Sequence, residues 1–172
     1  MATATYDLIA SQILASNTVS TTFSSITSSY TDLRLVIASA GLGGSDGASV
    51  RVNGDTSSIY SDTYIVGIPG GVHYSTDQNN TYFNVTPYGG ITTASTPFYI
   101  QVDFFNYSGS TYKTIISEAA ADMNGTTYSN TARLVGLWRN TSAINSITVT
   151  TASGGNYHKT GSVFSLYGIK AA

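Results

Sequence analysis

Any acid–base or nucleophilic chemistry in this chain has to be drawn from two histidines, His73 and His158, and nine acidic residues. A serine hydrolase needs a nucleophile held against a base. Both histidines lie in polar, loop-like stretches, and serine is so abundant that a Ser near a His arises by chance, so surface histidines are the expectation. A glycosidase needs two carboxylates about 5 to 9 Å apart, and Asp103 and Glu118, both on predicted strands, are the pair to consider. Asp46, Asp55 and Asp62 supply oxygen ligands of the kind Ca²⁺ takes, but their spacing matches no EF-hand loop, and Asp beside Gly is explained by turn or cap duty. Gly41-Leu42-Gly43-Gly44 has the glycines of a phosphate cradle, yet no helix-forming segment and no Lys-Ser/Thr pair follow it, so it reads as a flexible loop. Cysteine is absent, which removes disulfides, thiolate metal sites and thiol catalysis. The chain is therefore expected to be no enzyme and to carry no metal or cofactor.

Tyrosine is the residue type in excess, with 13 copies. Its ring offers large amphipathic contact area at low entropic cost, which suits protein interfaces and stacking on sugars. Tyr74, Tyr82, Tyr88, Tyr107 and Tyr128 adjoin loop-like segments and are the candidates for ligand or interface contacts. Trp138 sits in a run that is apolar on both faces, which places it in the core.

The surrounding composition narrows the partners. Charged residues are 9% of the chain, against about 25% in an ordinary soluble domain. Ser and Thr make up more than a quarter, so exposed faces hydrogen-bond rather than ionise. Charges, Lys above all, are the usual guards of sheet edges; a surface this poor in them is expected to be covered by partners. With a net charge of −2 and Lys+Arg 7, no basic field exists to neutralise phosphates, so neither nucleic acid nor a membrane is an expected partner. The N-terminal stretch has no basic n-region and no apolar run approaches the roughly 18 residues of a membrane span, which implies synthesis in the cytoplasm without cleavage.

What must position these residues is a set of strands, because two-residue alternation recurs while the helical period does not. Phe98, Ile100, Val102 and Phe104 alternate with Tyr99, Gln101, Asp103 and Phe105; Leu33, Leu35 and Ile37 alternate with Arg34, Val36 and Ala38. The latter strand and the one bearing Val50 and Val52 look like a pair with a wide connection. Asn53-Gly54 accepts the positive φ of a tight turn. Further strands are expected at 6–15, 18–23, 59–65, 81–85, 112–120, 133–139, 144–150 and 163–169, with residues 118–123 also compatible with a short helix. The expected fold is all-β, a jelly-roll-like antiparallel β-sandwich forming a single domain over residues 1–172.

Segments 7–11 (DLIAS), 22–26 (TFSSI), 30–37 (YTDLRLVI), 50–61 (VRVNGDTSSIYS), 136–149 (GLWRNTSAINSITV) and 165–172 (SLYGIKAA) together resemble small Ser/Thr/Gly-rich virion proteins of tailed bacteriophages, notably ones infecting aquatic bacteria. The resemblance runs through most of the chain in matching order, although 66–95 offers little to match. It implies a non-enzymatic particle component located in the virion, on the capsid exterior or in the tail. The expected partners are the major capsid protein or other virion proteins, and a homotrimer is the expected oligomer. A capsid decoration or cement protein is the leading expectation. The alternative is a tail-fibre or tail-associated domain that binds a host glycan, and the absence of a repeat shaft or coiled coil favours the capsid.

Overall fold

The computed structural model describes residues 5–43, 47–86, 97–122, 124, 129–151 and 157–170. Their strands are β1 (Tyr6–Ile13), β2 (Ser20–Phe23), β3 (Asp32–Ser39), β4 (Leu42–Gly43), β5 (Ala48–Val52), β6 (Tyr60–Ile68), β7 (Gly71–Asn80), β8 (Phe83–Asn84), β9 (Phe98–Phe104), β10 (Lys113–Ala121), β11 (Asn130–Trp138), β12 (Ile147–Thr151), β13 (Tyr157–His158) and β14 (Val163–Ile169). The antiparallel β-sandwich expected from the alternation is the architecture found. One sheet has eight strands in the order β1-β14-β3-β9-β10-β11-β6-β7, the other four in the order β2-β12-β5-β8, and β4 and β13 form a small two-stranded ribbon.

The alternation decides what enters the core. Leu33, Leu35 and Ile37 of β3 and Phe98, Ile100, Val102 and Phe104 of β9 are buried, and they face Val50 and Val52 of β5 and Ile147 and Val149 of β12 in one continuous apolar cluster. Each such side chain contributes about 1.5–3 kcal/mol by leaving water. Period two also forces the intervening residues onto the opposite face, so Arg34, Gln101 and Glu118 point away from the small sheet. Trp138 is buried as expected, and its indole N–H donates to Asp55 Oδ2 at 3.0 Å.

Polar contacts fasten one sheet to the other. The Tyr60 hydroxyl, on β6, accepts from Val52 N–H at 3.2 Å and donates to the Asp55 carbonyl at 3.2 Å; burial pushes its pKa up to about 12. Ser117 Oγ, on β10, donates to the Val85 carbonyl at 2.8 Å. Gly136 is required by close approach, since a Cβ there would lie 2.2 Å from the Phe83 ring and 2.7 Å from the Ser61 carbonyl.

The expected turn after β5 is present, with Asn53 and Gly54 at φ 54° and 64° and Asp55 N–H closing on the Val52 carbonyl at 2.9 Å. Two positive φ values in a row are what a type I′ turn demands. The Asn53 side chain then holds the approach to β12, accepting from Asn145 N–H at 2.8 Å and donating to the Ala143 carbonyl at 2.8 Å.

Several expectations need correction. β3 and β5 do not pair: β3 lies between β14 and β9, and β5 between β12 and β8 in the other sheet, because alternation fixes faces and not neighbours. Residues 118–121 continue β10 as strand rather than turning into helix, each paired with β11. Leu42 and Gly43 are not a free loop but pair with His158 and Tyr157. Neither histidine lies in a loop. His158 is fully buried against Phe164, with ring centroids 5.1 Å apart. His73 lies on β7, a strand the alternation did not announce.

Candidate interaction surface

The outer face of the eight-stranded sheet gathers most of the exposed large apolar side chains: Tyr6, Leu8, Ile13, Ile65, Val72, Tyr74, Tyr99 and Val135. Register places them there, because each stands opposite a residue on the outward half of its partner strand's alternation.

One cross-strand row on this face runs Tyr99, Ala120, Thr131, Gly67, Val72. Small residues between two large ones leave a groove of about 560 Å³, with Ile65 along its side. The adjoining row runs Gln101, Glu118, Arg133, Ile65, Tyr74. Glu118 and Arg133 pair at 3.2 Å across β10 and β11, both well exposed, so the groove carries a cation and an anion along one edge.

Toward β1 the same face bears a rigid polar ladder. Arg34 grips Asp103 with two bonds, Nε to Oδ1 at 2.6 Å and a terminal nitrogen to Oδ2 at 2.9 Å, the bidentate geometry that makes such pairs strong. Gln101 Nε2 also donates to Asp103 Oδ2 at 3.2 Å, and the Tyr99 hydroxyl donates to Gln101 Oε1 at 3.0 Å. The Arg34 guanidinium lies 5.5 Å from the Tyr6 ring centre and donates to its hydroxyl at 3.2 Å. Its pKa is raised by the Asp103 hydrogen bond. Asp103 and Glu118, the carboxylates considered for glycoside chemistry, are thus each held by an arginine.

The five candidate tyrosines do not converge. Tyr74 is 83% exposed on this face. Tyr82 is half-buried, its ring 5.6 Å from the Arg51 guanidinium. Tyr107 is fully buried: its hydroxyl donates to the Thr27 carbonyl and accepts from Tyr30 N–H, which removes it from any surface contact. Tyr88 and Tyr128 lie outside the described residues, as does Asp46. Asp55 accepts from Trp138 and from Ser57 N–H, whereas Asp62 is buried on β6 with Oδ2 facing Asn84 and Oδ1 without a hydrogen-bond partner. Burial pushes the Asp62 carboxyl up to about 6, Asn84 opposes that shift, and Asp77 adds to it. Among the described residues no group of three or more His, Cys, Asp or Glu is placed to hold a metal.

Known proteins give this surface no precedent. No protein-family model and no curated protein matches the chain. Among solved structures, a xylan β-1,4-xylosidase from Bacillus halodurans C-125 aligns at 6% identity and TM-score 0.28 over 82% of this chain, which spans 28% of the xylosidase. A toad ovary galectin in complex with thio-digalactose aligns at 8% identity and TM-score 0.29, covering 77% of this chain and 98% of the galectin. A heptameric pentraxin from Limulus polyphemus gives 10% identity and TM-score 0.22 over 90% of this chain and 65% of its own. Likeness this low carries no functional weight. Tyr99, Arg133 and Arg34 are among the members of the surface that sequence reasoning missed; their signal was the outward half of the alternation in β9, β11 and β3.

Proposed function

We propose that this chain is a non-enzymatic structural protein of a tailed-phage particle, a capsid decoration protein that lays the outer face of its eight-stranded sheet on the major capsid protein and acts as a homotrimer. The observation that carries the docking face is the concentration of exposed apolar side chains on one face that also holds preordered ion pairs. Apolar anchors ringed by polar groups are how specific interfaces are built. The virion assignment itself rests on the sequence resemblance. A shell multiplies each modest contact by symmetry and multivalency. The test is to mix the purified protein with capsids lacking it and to count bound copies by cosedimentation. Saturable binding that is lost in Val135→Asp and Ile65→Asp supports the reading; no binding to capsids ends it.

The second reading is a tail-associated domain that binds a host glycan, and the groove beside Tyr99 favours it. An aromatic ring, a carboxylate and a guanidinium along one shallow trough are what sugar recognition uses. Adherence to host cells that Tyr99→Ala abolishes, without capsid binding, would select it.

A further inference from the structure

β7 is the outer strand of the large sheet, and among the described residues nothing pairs with its free edge. From Gly71 to Asn80 it contains no Lys, Arg or Pro, the residues that keep sheet edges from pairing. Its regular stretch is bounded on both sides: the two-residue turn Pro69-Gly70 precedes it, and Asn79, at φ 57°, is skipped in the pairing with β6 and forms a bulge. Val72–Gln78 remains, with Ser75 at its centre.

We propose that two copies of this chain pair antiparallel through β7 about a two-fold axis at Ser75. In such a pair, residues opposite each other share a sheet face, so the offset between strands can change only in steps that preserve the faces. Centring on Ser75 sets His73 against Asp77 of the second copy, twice, and Tyr74 against Thr76 of the second copy. Centring on Tyr74 instead sets Tyr74 against itself and His73 against Ser75. Centring on Thr76 sets His73 against the bulged Asn79. Of these three, only the Ser75 register sets a hydrogen-bond donor, His73, against an acid, Asp77, and leaves the bulge outside the ladder. The same register answers a local conflict, because Asp77 stands directly opposite buried Asp62 within one chain and like charges opposite each other are unfavourable. The imidazole of the second copy's His73 extends that row with a ring N–H that can donate to the Asp77 carboxylate. This pairing does not depend on the virion reading; in a trimer it would join a subunit to one of a neighbouring trimer.

The natural chain has no cysteine, so single-cysteine variants report the contact directly. Across an antiparallel pair the opposed Cα atoms lie about 4.5–5.5 Å apart, within disulfide reach. Covalent dimers are read on non-reducing gels, with rates normalised to each variant's reactivity toward a small aromatic disulfide. Ser75→Cys is expected to cross-link about tenfold or more faster than Ser16→Cys, an exposed control elsewhere. A mixture of Tyr74→Cys and Thr76→Cys is expected to give the mixed dimer ahead of either self-dimer. Adding Asp77→Lys to Ser75→Cys should slow it about three- to tenfold, and adding His73→Glu as well should restore it. Equal rates for Ser75→Cys and Ser16→Cys overturn the contact, and self-dimers of Tyr74→Cys ahead of the mixed dimer overturn the register.

Discussion

In β9, near the middle of the eight-stranded sheet, every second side chain is sealed in the core and both backbone edges are paired. In β7, at the rim of the same sheet, every side chain except those of Ser75 and Asn80 is exposed, and one backbone edge has no partner among the described residues. Both strands are held by the same kind of ladder, so hydrogen bonding does not distinguish them. What differs is that β9 excludes water on one face and β7 on neither. Stability is therefore concentrated in the interior strands, while the rim keeps its backbone groups and side chains for contacts outside the chain.

The contrast is broken most severely by Phe104→Ala, which empties a fully buried site in β9. A loss of about 3–5 kcal/mol in urea denaturation is expected, enough to consume much of the stability of a domain of this size.

Protonation probes the same interior. The buried Asp62 carboxyl has a pKa of about 6, above its ordinary 3.8, so its stabilising contribution is whole below pH 3.8 and is lost as pH rises through 6. Burial pulls His158 down to about 4 from 6.5, so its contribution is whole above pH 6.5 and is lost as pH falls through 4. The two slopes oppose each other across mildly acid pH, each worth on the order of 3 kcal/mol. Relative to the parent protein, His158→Leu should gain stability as pH is lowered from 6.5 to 4, and Asp62→Asn should gain it as pH is raised from 4 to 6.5. Thermal melts across that window check both, and parallel curves for all three proteins would contradict the assignment.

Gly136→Ala sharpens the boundary between the sheets. The added methyl meets a ring and a backbone carbonyl, so a loss of about 1–3 kcal/mol is expected, read as a lowered melting temperature. At the rim the effect should nearly vanish: Val72→Thr and Tyr74→Ser, both exposed on β7, should change stability by less than about 0.5 kcal/mol.

The same contrast explains what could be read from the sequence. β3, β9, β10 and β14 declare themselves because burial on one face imprints period two on their residues. β7 has polar residues on both faces and no such imprint, and its one local signal is the Pro69-Gly70 dipeptide, a turn signature. His158 reads as a surface residue in the sequence because its immediate neighbours are polar, while its burial against Phe164 on β14 is set by the fold. The burial of Tyr107 is equally invisible in the sequence, since its hydroxyl partners Thr27 and Tyr30 are far away along the chain. The interaction surface was legible only as isolated residues. Asp103 and Glu118 drew notice as acids, but their arginines lie on other strands, and pairing across strands is what alternation leaves open.

β14 lies between β1 and β3, and among the described residues it is the only strand that pairs with β1. During translation β1 emerges long before β14, so its ladder cannot form until residues 163–169 follow it. Its backbone groups therefore stay unpaired until then, and the slow closure typical of such long-range pairing follows. Until β14 inserts, the facing edges of β1 and β3 both offer unpaired backbone groups, to each other's copies as readily as to the strand that belongs there.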